Sequence, residues 1–404
     1  MTLLTEEKGR AELAAQYREA LLDDVIPFWL RHGIDREHGG YLTALDRDGT
    51  VVDTDKSIWF QGRGAWTFAT LCNLVEKREA WVDAARTGVE FLRRHGGEPG
   101  GKLWFTVTRD GRPLRRRRYA YSEAFAAIAL AAWAKASGEG GAAEESDRHF
   151  SSYIRQALIP GTAPAKVEAS TRPMRGIGAH MIGMGVAQEV RAALGERLVE
   201  GKTCTEWVDW NLQEMERWFI KPDLKVVLET VGLEGEVLDH ADGRTLNPGH
   251  AIEAAWFILR EARHRGDGRL RDLGISILDW MWERGWDEQY GGLFYFRDLR
   301  GLPVQEYWQD MKFWWPHCEA IIATQMAHLM AGEERHARWH QMAHDWSFQH
   351  FADPVHGEWY GYLHRDGRLS TPLKGSLWKG PFHLPRMLMV CWKLLDESGG
   401  PRWV

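Results

Sequence analysis

His38-Gly39-Gly40-Tyr41 runs directly into Leu42-Thr43-Ala44-Leu45-Asp46-Arg47-Asp48-Gly49. A glycine pair, a short alternating strand and an Asp-Gly turn make a hairpin signature. The pattern recurs: Gly100-Gly101 leads into KLWFTVTRDG, Tyr290-Gly291-Gly292 into LFYFRDLRG, and His356-Gly357-Glu358 into WYGYLHRDG. Between these insertions the apolar spacing is helical almost throughout. It predicts twelve helices, over 6–32, 57–77, 79–95, 119–137, 143–157, 174–196, 203–219, 248–265, 267–284, 308–331, 334–350 and 376–396.

The insertions follow the first, third, ninth and eleventh helices, always an odd one, and 223–239 fills the slot after the seventh. First and last lie about 318 residues apart, or five intervals of about 64, the period of a two-helix unit. Six such units close into an (α/α)6 barrel, a toroid of twelve helices in two concentric layers with short β-hairpins at one end. An open α-solenoid would share the periodicity; six pairs and a tryptophan-rich interior favour closure. Insertions that all follow odd helices share one end, and that end is where the active site is expected. No long polar or Pro-rich linker divides the chain, so residues 1–404 read as a single barrel domain.

Composition narrows the function. The 22 tryptophans are several times the usual share, and indoles serve both as packing residues and as platforms for sugar rings. A net charge of −6 and a pI near 6.3 argue against a nucleic-acid partner. The one basic run, Arg115 to Arg118, reads as a solvated loop, with an anionic ligand as the sharper alternative. Cys72, Cys204, Cys318 and Cys391 lack metal-like or disulfide-framework spacing and fit reduced thiols in a cytoplasmic protein. The N-terminal segment is an amphipathic charged helix, unlike a signal peptide, and no stretch is apolar enough to span a membrane.

Three segments at the starts of even-numbered helices depart from ordinary amphipathic sequence: Asp55–Arg63, Leu246–Glu253 and Trp378–Arg386. They place Arg63, His250, Glu253 and His383 toward one cavity at the hairpin end. Single histidines near helix starts are commonly structural; two at the same barrel end, each beside a Pro/Gly break, point to an acid–base pair. Glu253 lies three positions after His250, on the same helix face, where a carboxylate can hold the imidazole's tautomer. Metal binding is the rival, and no His-x-x-x-His or Cys cluster supports it. In a fourth segment, Asp310–Ala320, His317 and Glu319 are too close in sequence to share a face. Glu319 is favoured as the inward residue, with Trp314 or Trp315 as a sugar platform.

Together GGYLTALDRDG, DKSIWFQGRGAWTFATL, LNPGHAIEAAWFIL, DMKFWWPHCEA, GEWYGYLHRDG and KGSLWKGPFHLPR resemble, in order and over nearly the whole chain, the blocks of the N-acylglucosamine 2-epimerase family. The resemblance implies an (α/α)6 barrel that epimerises or isomerises free sugars. It implies catalytic histidines at His250 and His383, a substrate-fixing arginine at Arg63, and acidic pocket positions at Glu253 and Glu319. Trp59, Trp315, Trp378 and His180 complete the residues expected to meet substrate. Pro316-His317 resembles the N-acylglucosamine branch. His180 and Gly185 depart from that branch, which tends to have proline and asparagine there.

The expected reaction is reversible inversion at C2 of a free aldose of the N-acyl-D-glucosamine/N-acyl-D-mannosamine type. Two histidines would move protons through an enediolate, with Arg63 stabilising its oxygens and no metal or cofactor. The alternative keeps the machinery but acts on unmodified hexoses, as epimerase or as aldose–ketose isomerase. An (α/α)6 glycoside hydrolase would use Glu253 and Glu319 as its carboxylate pair but leaves the histidines unexplained. A non-catalytic binding protein is the remaining rival. A homodimer built on helix faces is compatible with the sequence.

Overall fold

A computed structural model describes residues 2–98, 101–116, 120–159, 161–162 and 167–396. Gly100, and Arg117 and Arg118 of the basic run, lie outside the described residues. Within them twelve long helices form the barrel. They are α1 (Glu7–Glu19), α2 (Ile58–Leu74), α3 (Glu79–Phe91), α4 (Tyr121–Ser137), α5 (Gly140–Tyr153) and α6 (Gly178–Leu194). The second half comprises α7 (Cys204–Trp218), α8 (Pro248–Arg265), α9 (Gly268–Gly285), α10 (Trp314–Ala331), α11 (Glu334–His350) and α12 (His383–Leu395). Helices α1, α3 and α5 run on through wider π-type turns to residues 33, 96 and 158.

Composition sorts the helices into layers. The inner helices α2, α4, α8, α10 and α12 are buried along nearly their whole length, because neighbours cover both sides. Among the outer helices, α3 buries only one face, Trp81, Ala84, Ala85, Gly88, Val89 and Phe91. Each inner helix packs on the next, α2 on α4, α4 on α6, α6 on α8, α8 on α10 and α10 on α12. Each also packs on the outer helix that follows it, so α3 covers α2 and α11 covers α10. The last inner helix, α12, is covered by the first helix of the chain, α1. Thr67 Oγ1 donates to Pro381 O at 2.5 Å, and Gly380 lies against the Phe60 ring, closing the inner ring between α2 and the segment before α12.

The insertions are built as expected in three places. Residues 44–45 pair with 51–53, 106–107 with 113–115, and 362–363 with 369–371, all antiparallel. The hairpin expected within 293–301 does not form. Arg297–Asp298 pairs instead with Thr245–Leu246, the strand leading to α8. The backbone N–H groups of this stretch are taken elsewhere: Tyr295 and Phe296 donate to Gln309 O, and Leu299 donates to Arg244 O.

A charged cassette is repeated at this end. Asp35, Asp287 and Asp353 each open a tight turn that closes at Gly40, Gly292 and Glu358 respectively. Each aspartate holds a buried lysine from the segment before the next inner helix: Lys56 at 2.9 Å, Lys312 at 3.0 Å and Lys374 at 3.2 Å. Each also binds the arginine of an Arg-Asp-Gly hairpin turn in the next unit, Arg109, Arg365 and Arg47 respectively. Arg47–Asp353 therefore ties the first unit to the last.

Candidate active site

The hairpin end opens into a cavity of about 610 Å³ to which all six inner helices contribute. Helix α8 sets one corner. The Asn247 side chain accepts from the His250 backbone N–H at 3.1 Å, and Pro248 occupies the first turn, so the helix start is fixed where His250 must project. His250 Nδ1 lies 2.9 Å from Glu229 Oε2. A carboxylate only accepts, so Nδ1 carries the proton and Nε2 is the free nitrogen. Burial pulls this imidazole's pKa down, but the Glu229 charge and hydrogen bond outweigh it, and the net shift is upward.

His383 opens α12 and is built the same way from the opposite direction. Its Nδ1 lies 2.7 Å from Glu319 Oε1. Beneath it Arg386 Nη2 donates at 2.7 Å both to Glu319 Oε1 and to Glu253 Oε1, and Trp256 Nε1 donates to Glu319 Oε2 at 2.7 Å. Burial, then the positive charges of Arg386 and Arg63, hold the His383 pKa well below its ordinary value. The pair thus carries shifts of opposite sign. The Trp315 ring lies between them, 5.1 Å from the His250 ring and 5.8 Å from the His383 ring.

Arg63, one turn into α2, is packed by aromatic rings. Its guanidinium carbon lies 4.1 Å from the Phe125 ring centre and 5.1 Å from that of Phe382. Nη1 donates to the Trp378 carbonyl at 3.3 Å, and burial lowers its pKa to about 10. Four buried donors of the lining, Trp59 Nε1, Trp314 Nε1, Arg63 Nε and Arg386 Nε, have no hydrogen-bond partner among the described residues.

The family model for N-acylglucosamine 2-epimerase (GlcNAc 2-epimerase) matches residues 40–383. The chain belongs to the N-acylglucosamine 2-epimerase family. It is 39% identical to N-acylglucosamine 2-epimerase of Bos taurus over 392 residues, covering 93% of this chain and 90% of that one. The Homo sapiens N-acylglucosamine 2-epimerase is 37% identical over 402 residues, 96% and 92% of the two chains. Cellobiose 2-epimerase of Bacteroides fragilis is 25% identical over 402 residues, 95% and 99%. The solved cellobiose 2-epimerase from Spirochaeta thermophila superposes with a TM-score of 0.81 at 19% identity, covering 96% of this chain and 98% of that one. A D-mannose isomerase does so at 0.78 and 17%, covering 95% and 96%. These superpositions show the shared (α/α)6 fold. The family member described here is accordingly a sugar isomerase of the 2-epimerase kind.

Of the residues singled out in the sequence, His250, His383, Arg63, Glu253, Trp59, Trp315 and Trp378 line this epimerase-family cavity. Two do not. Glu319 is fully buried beneath His383, and its acceptors are engaged by His383, Arg386 and Trp256, so it faces no substrate. His180 points between α6 and α7, with Nδ1 3.3 Å from Asn211 Oδ1 and its ring against Trp210 and Phe219. The reason is helical phase: Gly178, Met181, Ile182 and Gly185 form the cavity stripe of α6, and residue 180 lies about 200° from 178 and 182. His317 turns outward as expected: its Nδ1 donates to Phe313 O at 2.6 Å and its Nε2 accepts from Leu293 N–H at 2.9 Å.

The tautomer-holding role expected of Glu253 falls to Glu229, because Arg386 claims Glu253. Glu229 lies within the 223–239 segment, where no local motif marks it. Arg386 had a signal, lying three residues after His383 on the same helix face. Glu253, Glu319 and His383 bring three ligand atoms within 4.8 Å of one another, but Arg386 Nη2 already bonds both carboxylates. That grouping therefore carries a cation of the chain's own.

Proposed function

We propose that this chain interconverts N-acyl-D-glucosamine and N-acyl-D-mannosamine, with His383 and His250 as the two proton-transfer groups. The observation that carries the reading is the matched pair of imidazoles. Each has Nδ1 tied to a carboxylate, which leaves Nε2 free, and their pKa values are pushed apart. Such separation assigns acid and base. Neutral His383 takes the C2 proton of the open-chain sugar, and the electron pair passes into an enediolate whose O1 bears the charge. Arg63 stabilises that charge, and protonated His250 returns a proton to the opposite face of C2. Both imidazoles then exchange with water, so the C2 hydrogen comes from solvent.

The N-acyl assignment rests on the two halves of the cavity. The α8 and α12 side, with Arg63, presents the charged groups, whereas α4 and α6 present Phe125, Ile128, Met181, Ile182 and Val186. Hydroxyls turned to that wall would lose their water without a replacement, at roughly 1–3 kcal/mol each, whereas the methyl end of an N-acetyl group has no hydrogen bond to lose.

The test is proton NMR in D2O with N-acetylmannosamine and, in parallel, mannose. Deuterium at C2 of the N-acetyl sugar with its epimer as product is expected. Exchange with mannose alone would move the activity to unmodified hexoses, and fructose as product would make it an aldose–ketose isomerase. Replacing His383 or His250 by alanine should lower kcat by about 10²–10⁴. Near-normal turnover in either variant would refute the assignment.

A further inference from the structure

Glu358 occupies a position at which its own repeat pattern uses glycine. The turn that opens at Asp35 closes at Gly40, with φ +67°, and the one at Asp287 closes at Gly292, with φ +71°. In the third copy the chain keeps the same turn and the same left-handed backbone, at φ +58°, but carries a glutamate. A side chain in that region is strained, and such strain persists only where the surroundings enforce it.

The side chain is almost wholly buried, at 1% exposure, and its bonds show what holds it there. Oε2 accepts from Trp29 Nε1 at 2.6 Å, and Oε1 accepts from Lys379 Nζ at 2.6 Å. Lys379 is equally buried, and its Nζ also donates to the Lys374 carbonyl at 3.1 Å. Lys374 Nζ in turn donates to the carbonyls of Gly357 and Glu358 at 2.7 and 3.0 Å. The segment 374–379 is therefore pinned at both ends to this one turn. Inside it, Ser376 N–H donates to Lys379 O and Lys379 N–H to Ser376 Oγ.

This pinned segment carries the wall of the cavity. Trp378, next to Lys379, lines the mouth, and its carbonyl accepts from Arg63 at 3.3 Å. Four residues beyond Lys379, His383 opens α12, with Pro381 held by Thr67 on the way. We infer that Glu358 is a positioning residue for the active site: its carboxylate, through Lys379, fixes the segment that sets Trp378, the Arg63 contact and His383. It touches no reacting atom itself. The inference rests on the reaction proposed above for what the positioning serves, but not for the positioning.

Two variants separate positioning from stability. Glu358→Gly restores the residue of the sister turns and relieves the backbone, but leaves Lys379 charged and unpaired. The double variant Glu358→Gly/Lys379→Met also removes that buried charge. Arg197→Gln, which breaks a partly exposed ion pair with Asp147 on the outer layer, serves as the control. At a temperature where thermal melts show each protein fully folded, both Glu358 variants are expected to lose ten- to hundredfold in kcat/KM. Their acid limb should also move up toward the ordinary histidine range, as His383 loses its enclosure. The control should change neither. Wild-type kcat/KM and an unmoved acid limb in the double variant would overturn the inference, whatever the melting temperature does. Amide hydrogen exchange over 374–382, measured without sugar, reads the positioning independently of turnover. Faster exchange in both variants is expected, and unchanged exchange would overturn it. If the wild type exchanges no C2 proton of either sugar while 374–382 still loosens, the reaction reading has failed and the positioning has not.

Discussion

Two imidazoles of the same kind acquire opposite tendencies here through their second partners. His250 bonds Glu229 at the cavity edge, and that charge outweighs its burial, whereas His383 is enclosed and faces the positive charges of Arg386 and Arg63. Replacing Glu229 by glutamine keeps an acceptor for Nδ1 but removes the charge that raises the pKa of His250. The alkaline limb of the kcat/KM profile should then move to lower pH, with a loss of about tenfold at pH 8 for each unit of movement. A profile unchanged above neutrality would mean that His250 is not the acid. Arg386→Met should act on the fold first. It strips the partner from two buried carboxylates, which costs roughly 3–5 kcal/mol, read as a lower midpoint in urea unfolding. The histidines, Arg63 and Glu253 were legible because each stands at a helix start next to a Pro or Gly break. Glu229 was not, because its partner lies 21 residues away and only the folded loop brings them together.

The recurring element is the turn-and-hairpin cassette, and the fold was legible because its glycines, Arg-Asp-Gly turns and spacing repeat in the linear sequence. What the spacing could not show is that each aspartate reaches both a lysine of its own unit and an arginine of the next. The failed hairpin at 293–301 marks the same limit: strand partners are chosen by geometry between units, and Arg297–Asp298 finds Thr245–Leu246. Asp353 holds Arg47 at 2.7 Å and Lys374 at 3.2 Å, and these charges and hydrogen bonds keep its carboxyl far below the ordinary range despite burial. Asp353→Asn leaves Lys374 buried without a charge partner and should cost roughly 3 kcal/mol of stability in denaturant unfolding. Because the same aspartate joins the last unit to the first, the loss should be accompanied by faster amide exchange in both the 44–53 and 362–371 hairpins. Exchange confined to one of them would separate the cassette from ring closure.

Across the whole molecule, histidines far from the cavity are stored neutral. Burial lowers the pKa of His317 to about 3 and of His149 and His344 to about 4, and that of His340 falls well below normal. The unfolded chain takes up protons at these sites from about pH 6.5 downward, whereas the folded chain does not. Their contribution to stability is therefore intact above that pH and falls steadily toward pH 4. The melting temperature should drop over this window, before the paired carboxylates titrate; a flat melting temperature between pH 6.5 and 4.5 would contradict the burial of these rings. Layering also has a consequence in time. Helix α1 has its partners at the other end of the chain: Tyr17 bonds His340 and His344, and Trp29 bonds Glu358, 329 positions on. At the pace of a ribosome, roughly 5–20 residues per second, the first helix waits on the order of 15–70 s for the residues that will bury it. A segment made early is thus among the last to find its seat. Folding of this toroid ends with a slow, long-range docking step, during which Leu13, Leu21, Ile26 and Trp29 are open to chaperones or to the same helix of another chain.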